Sequence, residues 1–191
     1  MGADRESTGS GRAKALELAK RKYLAGERLD IGRLAQELGV NRVTLQRWVG
    51  TRDALIVEVV WPLTQATLDR EWAKVESLPG PRVPPLVGGY LRANLFRGPA
   101  QRFLLEENER AMKIFTLASY GYQPRLVAAV RGYLEDDVRT GRITSRLSLD
   151  ELAYATVRIA ESYAYLPTIT GQNPDPAGAE RVLDAFLGGH S

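Results

Sequence analysis

At 191 residues, 44% hydrophobic and 26% charged, the chain has the composition of a globular protein with room for one large domain or two small ones. It has no cysteine, which excludes disulfides and thiolate metal sites and fits a reducing cytoplasm, and no apolar run approaches the roughly 18 residues of a membrane span. The net charge of +3 is unevenly placed: residues 1–52 carry eleven Lys/Arg against six Asp/Glu, a net of +5, and the remainder 15 against 17, a net of −2, so a basic head that meets a polyanion is expected on a slightly acidic body.

Strand signals are almost absent, and helical spacing dominates. The start, Met-Gly-Ala-Asp-Arg-Glu-Ser, lacks the apolar core of a signal peptide, and Glu6 breaks the myristoylation pattern. Residues 1–10 are polar and rich in Gly and Ser, and a disordered tail is expected there. A first helix spans about Gly11 to Ala25, with Ala15, Leu16, Ala19 and Tyr23 on one face, and Gly26 ends it. Asp30 is the N-cap of a second helix that runs to Leu38. Gly39 supplies a stop that tolerates positive φ, and Asn41 caps a third helix from Arg42 to Val49. A fourth runs from Asp53 to about Glu76 and is expected to kink at Pro62, which lacks a backbone donor.

Ser77-Leu78-Pro79-Gly80-Pro81 and Pro84-Pro85 form the clearest loop. Further helices are expected at Leu86–Arg97, Pro99–Ala118, Pro124–Thr140, Leu149–Thr170 and Pro176–Leu187, about nine in all. The expected division is a tail at 1–10, a helix-turn-helix domain at 11–52 and a helical body at 53–191.

Helix, tight Gly turn, helix is the arrangement that sets a second helix into the DNA major groove. Arg42 opens the third helix, where an Arg can reach a guanine in bidentate fashion. Val43 and Thr44 offer apolar contact to a thymine methyl, and Gln46 can bond adenine or a phosphate. Arg47, Trp48 and Arg52 are placed for the phosphate backbone, and Arg33 joins the candidate DNA contacts. Leu45 points the other way, into a core. For Trp48, packing against the first helix is as good a reading as a place at the groove.

Leu38, Gly39, Val40, Asn41, Thr44, Leu45, Trp48, Val49, Thr51, Arg52, Ala54 and Leu55 resemble the pattern of the N-terminal domain of TetR-family transcriptional repressors, a match over about 45 residues. Gln46 stands where that family usually has a phosphate-contacting Tyr, and Arg52 where it usually has Lys, which keeps the charge and changes its geometry. The resemblance implies an all-α fold: a three-helix DNA-binding domain joined to a larger helical domain that dimerises and binds a small effector. Tyr120-Gly121-Tyr122-Gln123-Pro124, residues 152–171 and Pro174-Asp175-Pro176 resemble the QsdR-type subgroup, some of whose members are linked to lactone-type signals. That link does not fix the ligand of this chain.

The residues of the body agree with a helix-on-helix interface. Val182, Leu183, Phe186 and Leu187 form a stripe wide enough for a seam. Leu152, Tyr154, Ala155, Ile159, Tyr163 and Leu166 make the preceding helix apolar nearly all round, as burial on more than one side requires. Leu152, Ala155, Ile159, Tyr163 and the Val182 stripe are therefore the candidate dimer contacts, four helices across a two-fold axis. Arg158 and Glu161 lie amid these apolar neighbours and need partners. They either form internal ion pairs, with Glu106, Glu107 or Glu109 as candidates, or orient a polar group of a ligand. Tyr90, Asn94, Phe115, Tyr120, Tyr122 and Tyr165 complete the candidate effector lining.

The leading expectation is a cytoplasmic homodimeric repressor that binds a pseudo-palindromic operator in double-stranded DNA and leaves it when a small effector binds. A ligand-independent DNA-binding or architectural protein is the alternative. An enzyme is not expected. The one histidine, His190, lies beside the C-terminus, no Gly-rich phosphate loop appears, and no catalytic residue, metal or cofactor is assigned.

Overall fold

The computed structural model describes residues 3–96 and 98–188, and among them every regular element is helical. His190 lies outside the described residues. The chain divides into two compact units, Met1–Leu63 and Thr64–Ser191.

The first unit holds α1 (Ala3–Leu24), α2 (Ile31–Glu37), α3 (Arg42–Val49) and the opening turns of α4 (Arg52–Val75). Helix α1 starts at Ala3, so residues 3–10 are helical where a tail was expected. No proline interrupts that stretch, and a helix already nucleated by packing extends at one hydrogen bond per residue. Ala15, Ala19 and Tyr23 of α1 are buried together with Leu34 and Ala35 of α2 and Leu45 and Val49 of α3. Local chemistry fixes both helix starts. The Asp30 side chain accepts from the Arg33 amide at 2.8 Å, and the Asn41 side chain from the Thr44 amide at 2.7 Å. Gly39 between them has φ +67°, a conformation that costs a side chain.

Helix α4 runs unbroken through Pro62, and the chain passes from one unit to the next inside it, at Leu63–Thr64. The expected boundary lay at its first turn instead.

The second unit adds α5 (Val83–Leu95), α6 (Gly98–Glu106), α7 (Asn108–Thr116), a 3-10 turn at Ala118–Tyr120, α8 (Tyr122–Arg139), α9 (Leu149–Ala164), α10 (Leu166–Ile169) and α11 (Pro176–Leu187). There are thus eleven α-helices among the described residues rather than about nine. Two expected helices are each split. At Glu107 the backbone leaves helical geometry, and the Asn108 side chain accepts from the Glu109 amide at 2.7 Å, offering that amide a partner outside the helix ladder. At Tyr165 the chain breaks ahead of Pro167, which lies in the first turn of α10. Pro84 and Pro85, expected in a loop, lie in the first turn of α5, where a missing amide costs nothing.

Helices α5, α8, α9 and α11 supply most of the core, including Leu91, Val130, Leu134, Leu152, Val157, Leu183 and Leu187. Arg82, just ahead of α5, is tied to the end of α8. Its Nε donates to Asp137 Oδ1 at 2.6 Å and its backbone amide to Asp137 Oδ2 at 2.7 Å. The guanidinium also pairs with Asp136 and lies 4.3 Å from the centre of the Trp72 ring. Asp137 is fully buried, so this pair persists because each of its oxygens receives a donor. Ser148 and Glu151 form a capping box that starts α9.

Candidate functional site

In the first unit, Leu45 and Val49 anchor α3 from within, and Arg42, Val43, Gln46 and Arg47 are exposed with Thr44 half-buried beside them. Val43 is 67% exposed, which no core role explains. One face of a short capped helix therefore carries two guanidinium groups, an amide and two groups with methyls, side-chain types that can bond or touch base edges. Arg33 is exposed on α2.

Two candidate contacts sit differently. Trp48 is half-buried and its ring covers Gly11 of α1, where an added Cβ would come within 2.6 Å of the ring. The structure thereby places Trp48 in packing against the first helix. Arg52 is half-buried, and its Nε donates to the Leu29 carbonyl at 2.5 Å. It braces the start of α4 against the loop before α2. Lys22 ties α1 to the same region through Glu27 at 2.9 Å and Glu37 at 2.8 Å.

In the second unit, the Tyr122 hydroxyl stands between Thr64 Oγ1 at 2.8 Å and the Tyr90 hydroxyl at 3.0 Å. The Phe115 ring lies 4.6 Å from that of Tyr122, and Phe103 lies edge-on to Phe115 at 5.8 Å. Burial raises the hydroxyl pKa of Tyr90, and those of Tyr122 and Tyr165 well above the ordinary value. Glu161 of α9 joins this region: it is 9% exposed and close enough to act electrostatically on Tyr90 and Tyr165. Burial pushes its carboxyl up to about 7, against the opposing pull of Arg158. Arg158 Nη1 lies 2.6 Å from Oε2, yet the approach lacks hydrogen-bond geometry, and neither carboxylate oxygen has a hydrogen-bond partner. Of the two readings left open for these residues, an internal ion pair is present, but its suggested partners Glu106, Glu107 and Glu109 are corrected here. Arg158 and Glu161 face each other along one helix, while Glu106 pairs with Arg102 and Glu107 with Arg110.

Tyr90, Phe115, Tyr122, Glu161 and Tyr165 are thus brought into one region. Asn94 is half-buried and donates to the Tyr90 carbonyl of its own helix. Tyr120 lies half-buried in the 3-10 turn, and Arg158 is exposed.

Residues 81–188, more than half of the chain, match the family model described as the tetracyclin repressor-like C-terminal domain. The chain belongs to the TetR family. Among solved structures it is similar to the transcriptional repressor QsdR of R. erythropolis, a TetR-family protein. The identity is 27% and the TM-score 0.84, over 96% of this chain and 98% of that one. No curated protein sequence matches. The protein is a DNA-binding transcriptional regulator with a helix-turn-helix head and an all-helical body. No helix among the described residues is long and apolar enough to cross a membrane.

Within this TetR-family body, three candidate dimer contacts are corrected. Leu152, Leu183 and Leu187 are 2%, 0% and 2% exposed. They belong to the unit's own core and have no surface to offer a partner. Val182 is 40% exposed, and Ala155, Ile159, Tyr163 and Phe186 are half-buried. Thr64 and Phe103 escaped sequence reasoning. Thr64 lies in the long fourth helix, where no effector contact was placed, and Phe103 in a stretch whose break at Glu107 has no sequence mark beyond Asn108.

Proposed function

We propose that this regulator is a homodimeric repressor, acting in the cytoplasm, that leaves its operator when a small molecule binds the second unit. The observation that carries the reading is the α3 face: Arg42, Val43, Thr44, Gln46 and Arg47 point outward from a helix held by Leu45 and Val49. Arg42 reads a guanine, Gln46 an adenine edge or a phosphate, and Arg33 holds the backbone. Arg52 acts as a brace for α4.

Two copies of the head, paired through the outer faces of α9 and α11, read half-sites of a pseudo-palindrome on major-groove faces roughly 34–36 Å apart or more. Val182, Phe186, Ile159 and Tyr163 supply the apolar contacts of that pairing. The effector binds among Tyr90, Phe115, Tyr122, Glu161 and Tyr165. It stabilises a state of the dimer whose head spacing no longer fits the operator. A coupling of about 1–3 kcal/mol suffices to weaken operator binding about 5–150-fold.

The test is transcription from the operator-bearing promoter. Expression is expected to be low with the protein, high without it, and restored when the intact protein is exposed to its effector. Expression that stays the same when the protein is deleted would contradict the repressor reading.

A further inference from the structure

Among the described residues of the second unit, Glu161 is a buried acid that meets Arg158 in a 2.6 Å ion-pair contact but accepts no hydrogen bond. It lies on the inward face of α9, two turns beyond Ala153 and one beyond Val157, both in the core. It is itself 9% exposed, and both carboxylate oxygens are sealed from solvent and without a hydrogen-bond donor. Arg158 offsets part of its charge from the surface without hydrogen-bonding to it. A carboxylate in such a place destabilises the fold relative to an apolar residue of the same volume. A partner that brings donors would remove that cost.

The surroundings say which partner. Tyr90 and Tyr165 lie within electrostatic reach of the acid. Tyr122 is hydrogen-bonded to Tyr90, and Phe115 stacks on Tyr122. An acid set among aromatic rings receives an organic cation: the carboxylate takes a charge-assisted hydrogen bond, and ring faces attract the same positive charge. An anionic ligand would meet like charge. A lactone carries acceptors only and pairs with this group only in its protonated form, whereas an ammonium pairs with the carboxylate.

We infer that the effector is an amphipathic organic cation, an amine whose protonated nitrogen pairs with Glu161 while its apolar body lies against Phe115 and Tyr122. This rests on the reading of the second unit as the effector-binding domain. The raised Glu161 pKa has the same origin, burial without a donor, and a bound ammonium would bring it down.

The probes are matched sets of alkyl and phenylalkyl amines, alcohols and carboxylates, each sharing one carbon skeleton, added to the full-length protein. The readouts are thermal shift and titration calorimetry. Amines are expected to raise the melting temperature more than their alcohol and carboxylate counterparts. Glu161→Gln is expected to weaken amine binding by about 10–100-fold, the loss of one charge-assisted hydrogen bond, and to weaken alcohol binding by clearly less. Unliganded Glu161→Gln and Glu161→Met should melt at or above the wild-type temperature, because each removes an unsatisfied buried charge. A panel in which amines hold no advantage, or in which none shifts the protein, overturns the inference. So does amine binding that survives both substitutions, or a marked fall in melting temperature in both. Operator binding by the unliganded protein is measured alongside. Absence of an amine preference in the wild-type protein, with operator binding intact, overturns this inference alone, whereas failure to bind any operator overturns the repressor reading.

Discussion

A hydrogen at position 11, in place of a methyl, decides how closely α3 can sit on α1. Three atoms of the Trp48 ring lie 2.6–2.9 Å from where a Cβ on Gly11 would stand, and a fused aromatic ring cannot bend away. Gly11→Ala should therefore push Trp48 outward, tilt the reading helix, and cost about 1–3 kcal/mol of head stability with a matching loss of operator affinity. Trp48→Leu in the same chain should recover part of the stability. Unfolding curves and operator titrations of the wild type and the two variants check this, and a Gly11→Ala protein indistinguishable from wild type in both would refute it. Little of this was legible in the sequence. The type of residue 48 and its spacing allowed packing or a groove contact equally, and only the position of Gly11 beneath the ring separates them. Arg52 teaches the same lesson. Its place in the motif suggested a phosphate, but the chain brings the Leu29 carbonyl to 2.5 Å from its Nε.

Elements divide into those whose starts and stops are written locally and those set by packing. Asp30, Gly39 and Asn41 mark α2 and α3 by chemistry within a few residues, and these helices follow the sequence reading closely. The breaks at Glu107 and Tyr165 depend on what the flanking turns pack against, and periodicity runs straight through both. The apolar stripe on α11 has the same ambiguity. A stripe two residues wide does not say which half faces its own core. The structure answers that Leu183 and Leu187 point in and Val182 points out. Leu183→Ala should cost about 2–5 kcal/mol of stability through the cavity it leaves. Val182→Ala should change stability by no more than about 0.5 kcal/mol. Val182→Glu should leave the fold intact and weaken self-association, because it puts a charge into a desolvated seam. Denaturant unfolding and sedimentation equilibrium separate these outcomes, and a Val182→Glu protein that associates as wild type would place the seam elsewhere.

For the whole molecule, the uneven charge carries the functional logic. A head of net +5 supplies the salt-sensitive attraction that any DNA gives, and the base-facing side chains of α3, Arg42 among them, have to supply the discrimination. The body, with a net of −2, has no such attraction to offer DNA, and its distinctive feature is instead an acid and several tyrosines kept out of water. Fold class and the reading head were legible in the sequence because they rest on local caps and on charge placement. Which side chains share the interior of the body was not, because that depends on contacts between helices far apart in the chain, such as Thr64 with Tyr122.

The most direct test of the central claim is selection of genomic fragments by the purified protein at a low and a high salt concentration. A sequence-specific regulator is expected to enrich one palindromic site at both, with affinity falling at high salt but the same site surviving. Recovery of unrelated fragments at low salt, all lost together at high salt, would mean that the head holds phosphates alone, and would contradict the account.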